Sequence, residues 1–180
     1  SCEACIEGIK RDFGTIDVLV NNGGITRDST LRKMNQEQWV DVINTDLTSV
    51  FYMTRMVVND MLANGYGRII NISSVNGEKG QFGQANYSAA KAGMHGFTKA
   101  VAQEVASKGV TVNTISPGYI ATPMIMEVPE EIREGIRKNI PVGRFGKPED
   151  IARVVSFLAH EDASFITGTN VSANGGQYMH

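Results

Sequence analysis

Three short apolar runs, each stopped abruptly by Asn, Ser, Gly or Pro, constrain this chain more than any other feature. Ile16-Asp17-Val18-Leu19-Val20 ends in Asn21-Asn22-Gly23-Gly24. Arg68-Ile69-Ile70-Asn71-Ile72 ends in Ser73-Ser74, and Val110 to Ile115 ends in Ser116-Pro117-Gly118. Runs of this length without strict alternation suit strands buried on both faces, as in a parallel sheet covered by helices. The intervening stretches have helical spacing. Asn35 is a candidate N-cap for a helix over about 36–63, with Trp39, Val42, Ile43, Leu47, Val50, Phe51, Thr54 and Val57 as its apolar stripe and Asn64-Gly65 as its C-cap. A second helix is predicted over about 86–107, and a third from Pro148 to about Ala159, with Pro and two acids in its first turn. Residues 2–12 read as a helix, 75–85 as a loop, and 168–172 as a last strand before Ala173-Asn174-Gly175-Gly176. Alternation of this kind predicts a single α/β domain with a doubly wound parallel sheet.

Composition narrows the partners. A chain of 180 residues with 42% hydrophobic and 20% charged residues can bury one sizeable core. A net charge of -2 offers no basic field to nucleic acid or an anionic membrane, and no apolar run approaches the ~20 residues of a membrane span. Nothing in the chain reads as a signal peptide, and a cytoplasmic, reducing location is expected. Cys2 and Cys5 have redox or half-zinc spacing, but no second Cys or His pair follows. Two thiols one helical turn apart are the simpler interpretation, and no metal site is expected.

In a doubly wound sheet, ligands bind beyond the carboxyl ends of the strands. Here those ends are 21–24, 73–74 and 116–118, and the helix entered from the second carries Tyr87 and Lys91 four residues apart. On a helix these share a face. An ammonium beside a phenol favours the phenolate and turns a poor acid into a usable proton donor. Ser74 stands where its hydroxyl can hold a substrate carbonyl. The excursion 119–147, with an amphipathic segment over 130–139 between prolines, has the length of a substrate lid.

In combination, NNGG, SS followed by Tyr87, YSAAK, NTISPGYIAT and the terminal NGG resemble the short-chain dehydrogenase/reductase family over the whole chain. NGGITRDSTLRKM and SSVNGEKGQFGQANYS resemble its acetoacetyl-CoA reductase branch, and the 3-oxoacyl-(acyl-carrier-protein) reductases come next. The resemblance implies a Rossmann-like fold, a homotetramer and NADPH-dependent reduction of a 3-ketoacyl-CoA thioester. It implies Tyr87 as general acid, Ser74 on the carbonyl, and Lys91 lowering the phenol pKa and holding the nicotinamide ribose. It further implies cofactor contacts from Asn22, Gly23, Gly24, Pro117, Gly118 and Thr122. Substrate contacts are implied from Gln81, Phe82, Gln84 and Tyr119, with Asp28 and Lys33, beside Arg27 and Arg32, at the rim for the coenzyme A arm.

The chain departs from that pattern twice. The family has a catalytic Asn before a Leu in the first long helix; here the matching residue is Asp46, in Asn44-Thr45-Asp46-Leu47. A carboxylate cannot donate as an amide does and pairs electrostatically with Lys91. The family's opening strand, glycine-rich phosphate turn and helix have no counterpart, so strands one to three, on the order of 60 residues, are expected to be missing. Such a chain is expected to bind nucleotide poorly, and a non-catalytic fragment or pseudoenzyme subunit is the alternative from another class.

Overall fold

The computed structural model describes residues 2–179, without the side chains of Cys2 and Met124. Four strands form one fully parallel sheet in the order β1 (Val18–Asn21), β2 (Gly67–Ile72), β3 (Val110–Pro117), β4 (Asn170–Ala173). Register is continuous across it, with Leu19 opposite Ile69, Ile69 opposite Val112, and Ile115 opposite Val171. All six residues of β2 are buried, and seven of the eight in β3, which is why both lack alternation.

Helices cover both faces. On one, α1 (Cys2–Phe13), α3 (Ser49–Asn64) and α5 (Ala85–Val105) pack Ile6, Val57, Met61, Ala102 and Val105 against Leu19, Ile69, Val110 and Val112. On the other, α8 (Pro148–Ala159) sets Leu158 against Ile70, Ile72 and Ile115. The doubly wound parallel sheet expected from the apolar runs is therefore present. β1 forms the edge of this sheet among the described residues, with Val18 and Val20 only partly covered.

Two local expectations are corrected. The predicted single helix over 36–63 is α2 (Gln36–Ile43), a π-helical turn at Asn44–Thr48, and α3. The buried positions are Val42, Asp46, Val50, Thr54, Val57 and Met61. Three successive steps of four residues outrun a 3.6-residue turn, and the wider π turn takes up the excess. Trp39 and Phe51, placed on the stripe by simple periodicity, are exposed. Asn35 does cap α2 through a full capping box with Gln38, and Gly65 closes α3 in the left-handed conformation.

The stretch 75–85 is not all loop. Ser74 accepts a hydrogen bond from the Asn76 amide at 3.1 Å and caps a short helix, α4 (Val75–Lys79). Helix α4 lies directly on α5: a Cβ built on Gly77 would stand 2.8 Å from Lys91 Cβ and 2.9 Å from its carbonyl carbon. Residues 119–147 carry α6 (Pro123–Met126) and α7 (Glu130–Lys138), and no described residue of α7 is buried.

Candidate active site

Four elements meet beyond the carboxyl ends of the strands. Helix α5 enters from the Gln84 side and is fastened by Asn86, which is fully buried. Its side-chain amide donates to the carbonyls of Arg27 (3.1 Å) and Gln38 (3.0 Å), and its Oδ1 accepts from the Tyr87 amide at 2.9 Å. Lower down, Thr98 of α5 joins a buried polar seam. Asn71 donates to Thr98 Oγ1 (2.9 Å), Asn21 to Asn71 Oδ1 (2.8 Å), and Thr114 to Thr98 (2.8 Å), so β1, β2, β3 and α5 hold one register. Each buried polar group here has a partner, which keeps the seam from costing stability.

His95 makes a further tie. Its Nε2 lies 3.0 Å from Ser73 Oγ and 3.3 Å from Ser116 Oγ. Ser73 donates its own hydrogen to the Lys91 carbonyl (2.9 Å), and Ser116 donates to Asn170 Oδ1 (2.8 Å). With both hydroxyl hydrogens committed, Nε2 carries the proton and donates to the two oxygens. The chain leaving β2 toward Ser74 is thereby clamped to the helix turn that presents Lys91.

Ser74 and Tyr87 face a cavity of about 370 Å³, together with Thr26, Asp28, Val75, Asn76, Gln84, Gly118, Tyr119, Ile120, Thr122, Ile125 and Val128. One wall is polar and ordered: Asn76 donates to Gln84 Oε1 (3.0 Å), and Gln84 Nε2 donates to Asp28 Oδ2 (2.9 Å). Ile120, Ile125 and Val128 add apolar lining. Gly118 is required there, because an added Cβ would stand 2.8 Å from Asn174 Cα and 2.9 Å from its carbonyl oxygen.

Lys91 is buried behind Tyr87. Its Nζ lies 5.5 Å from the phenol ring centre, donates to the Ile72 carbonyl at 3.0 Å, and stands 3.8 Å from Asp46 Oδ2. Asp46 is fully buried in the π turn, and its Oδ1 accepts the Ile25 amide at 2.8 Å. Burial dominates all three titrations. It pushes Tyr87 above the usual phenol value; a hydrogen bond from Ser74 opposes this, and the carboxylates of Asp46 and Asp28 add to it. Lys91 is pushed down by burial and held up by Asp46. Asp46 is pushed up by burial, against the Ile25 amide and Lys91. The lowered Tyr87 pKa expected from a neighbouring ammonium is therefore not found: burial raises it, and the opposing influence is the hydrogen bond from Ser74.

The structure gathers part of the predicted set. Ser74, Tyr87, Asp28, Gln84, Gly118, Tyr119 and Thr122 line one cavity, with Lys91 and Asp46 behind it. Pro117 ends β3 beside Gly118. Asn22, Gly23 and Gly24 follow β1 as exposed backbone, and Gly24 adjoins the Lys91–Asp46 pair. Gln81 lines a neighbouring cavity with Lys79, Ile136, Asn139 and Gln177, joined to the first by Tyr119. Phe82 and Lys33 project into solvent, outside the first cavity. Sequence reasoning missed Asn76, Asn86, His95, Ile125 and Val128. The Asn-Gly step after Ser73-Ser74 was the one visible signal for Asn76; the others show themselves only as contacts.

A parallel sheet with a Ser, Tyr and Lys gathered at its carboxyl edge defines a class of nicotinamide-dependent oxidoreductase. A family model described as enoyl-(acyl carrier protein) reductase matches residues 1–178, and the chain belongs to the short-chain dehydrogenase/reductase family. It is 59% identical over 183 residues to the acetoacetyl-CoA reductase of Rhizobium meliloti, covering 99% of this chain and 76% of that one. The acetoacetyl-CoA reductase of Cupriavidus necator is 54% identical over 179 residues, with 99% and 73% covered. The 3-oxoacyl-(acyl-carrier-protein) reductase of Haemophilus influenzae is 51% identical over 179 residues, with 99% and 74% covered. No described helix is long and apolar enough to cross a membrane, and no cluster of potential metal ligands occurs among the described residues.

Proposed function

We propose that this chain carries the catalytic site of an NADPH-dependent 3-ketoacyl-CoA reductase that converts acetoacetyl-CoA to (R)-3-hydroxybutyryl-CoA. The observation that carries this is the shared cavity of Ser74 and Tyr87, partly lined by apolar side chains and backed by Lys91. The donor set fits a nicotinamide ribose: Lys91 and the Tyr87 hydroxyl supply hydrogen bonds, and exposed Gly23 and Gly24 leave room for backbone approach. Asn22, Pro117, Gly118 and Thr122 complete the proposed cofactor contacts. When bound, the reduced nicotinamide supplies the hydride equivalent that the ketone carbon accepts.

The chain's own residues do the rest. Ser74 donates to the ketone oxygen and orients it. Negative charge develops on that oxygen, and Tyr87 transfers its phenolic proton there, so that the C=O becomes C–OH. Lys91 offsets the charge left on the phenolate, in a site dry enough for the offset to matter. Asp28, Gln84 and Tyr119 position the acyl thioester, with Gln81, Phe82 and Lys33 toward the coenzyme A arm. The segment 119–147 serves as lid, and 1–180 as part of a single reductase domain. The exposed apolar side chains Trp39, Val40, Phe51 and Tyr52 on α2 and α3, and Phe157 and Phe165 near β4, support assembly as a homotetramer, and a cytoplasmic location accords with that function.

The test is ketone-dependent oxidation of NADPH by the full chain, with NADH as comparison. Faster turnover of acetoacetyl-CoA than of the carrier-protein thioester supports this reading. The reverse order favours a 3-oxoacyl-(acyl-carrier-protein) reductase, and no oxidation with either points to the non-catalytic alternative.

A further inference from the structure

We propose that Asp46 is a charge-setting residue of this site: its carboxylate acts through Lys91 on Tyr87, so that proton donation depends on whether Asp46 is ionised. The inference rests on the donor role proposed for Tyr87. Asp46 does not line the substrate cavity and is a positioning residue, not a catalytic one.

Three observations carry it. The π turn rotates Asp46 to the α5 side, where it is fully buried. Of its two oxygens, Oδ1 takes the Ile25 amide, while Oδ2 has no hydrogen-bond partner among the described residues and lies 3.8 Å from Lys91 Nζ. That distance is too long for a hydrogen bond but short for two charges in a dry place. Lys91 in turn meets no other carboxylate within ion-pair distance among the described residues. The one side chain that compensates the lysine thus sits on the side away from the substrate.

The charged and titratable groups around Asp46 are few. Lys91 and Tyr87 bear on it from α5, and the loop after β1 supplies the Ile25 amide. No charged side chain of α2 or α3 among the described residues contributes to its titration. Asp28, across the cavity, acts on Tyr87. With the carboxyl protonated, only burial and Asp28 still oppose the pull of Lys91 on the phenol. With it ionised, the two charges largely cancel and the phenol holds its proton more tightly.

The size follows from the distances. Asp46 Oδ2 is 3.8 Å from Lys91 Nζ, which is 5.5 Å from the Tyr87 ring centre, so the carboxylate lies within about 9 Å of the ring. A unit charge at that range, with the screening typical of protein sites, changes a proton-transfer rate by up to about 20-fold. A neutral amide at position 46 would remove that influence while keeping the shape.

The experiment compares the full chain with Asp46→Asn in two ways. The first is ultraviolet titration of the Tyr87 phenol, with Tyr87→Phe as the blank; the second is the pH–rate profile for ketone reduction. In Asp46→Asn the phenol is expected to titrate at lower pH than in the parent. The profile is expected to lose one transition and its alkaline limb to move toward lower pH. Identical phenol titrations in two folded proteins would overturn the proposal. If neither protein oxidises NADPH, the assignment under the previous heading fails while the phenol titration still decides this one. Asp46→Ser, equally neutral, gives the same comparison if Asp46→Asn does not fold.

Discussion

Replacing Gly77 by Ala tests whether the site depends on how closely α4 lies on α5. The added carbon would sit 2.8 Å from Lys91 Cβ, 2.9 Å from Lys91 C and 3.0 Å from Ala92 N, against ordinary contacts of 3.4–4 Å. Two of these atoms are backbone, so rotamer changes cannot relieve the overlap, and α4 must withdraw by roughly 0.5 Å or more. Two effects compete. Alanine is the better helix former, worth about 0.5–1 kcal/mol, whereas overpacking costs about 1–3 kcal/mol. Overpacking wins, and for a domain of this size the melting temperature is expected to fall by a few degrees, on a scale of about 2–4 °C per kcal/mol.

The functional effect is expected to exceed the stability effect. Helix α4 starts from Ser74, so its withdrawal moves the serine hydroxyl relative to Tyr87 and Lys91. A 1 Å misplacement costs about 10²-fold in rate, and half that shift corresponds to about tenfold. The assay is kcat and KM for ketone reduction in the full chain, with melting measured on the same preparation. A tenfold loss in kcat with little change in KM is expected. A Gly77→Ala protein that melts lower yet keeps its kcat within twofold would refute the positioning argument, and one unchanged in both would refute the α4–α5 contact itself.

Three other outcomes follow from the same geometry. Asn86→Ala removes two donors to backbone carbonyls and the acceptor of the Tyr87 amide at the start of α5, so unfolding in urea is expected to show a loss of about 1–3 kcal/mol. Tyr87→Phe deletes one oxygen facing the cavity; kcat for ketone reduction is expected to fall by about 10²–10⁴-fold with the melting temperature nearly unchanged. Asp150 is held down to about 2 by hydrogen bonding from Arg144 and from the Lys147 amide. A depressed carboxylate stabilises the fold above its unfolded value of about 3.9, and that contribution is lost as pH falls toward 2. Acid melting curves of the parent and Asp150→Asn should therefore differ near neutrality and converge between about pH 4 and pH 2.

Much of this protein was determined by local sequence, because local sequence sets burial pattern and caps. The unalternated runs before Ser73 and Ser116 marked strands covered on both faces, whereas the similar run before Asn21 forms a strand whose Val18 and Val20 are exposed; the capping box at Asn35 and the left-handed turn at Gly65 need only neighbouring residues. The four-residue spacing of Tyr87 and Lys91 required nothing beyond a helix.

Tertiary structure decided the rest. The π turn that buries Asp46 resolves a mismatch between a stripe of four-residue steps and the surface it must meet on α5, and no local preference announces it. Helix α4 was hidden in a stretch rich in glycine and polar residues, and its place depends on Gly77 fitting against Lys91. The Tyr87 pKa shows the difference most clearly. Spacing along the chain pointed to a lowered value, since it registers a charge four residues away. Burial raised it instead, because desolvation depends on everything packed around the phenol and not on its neighbours in sequence.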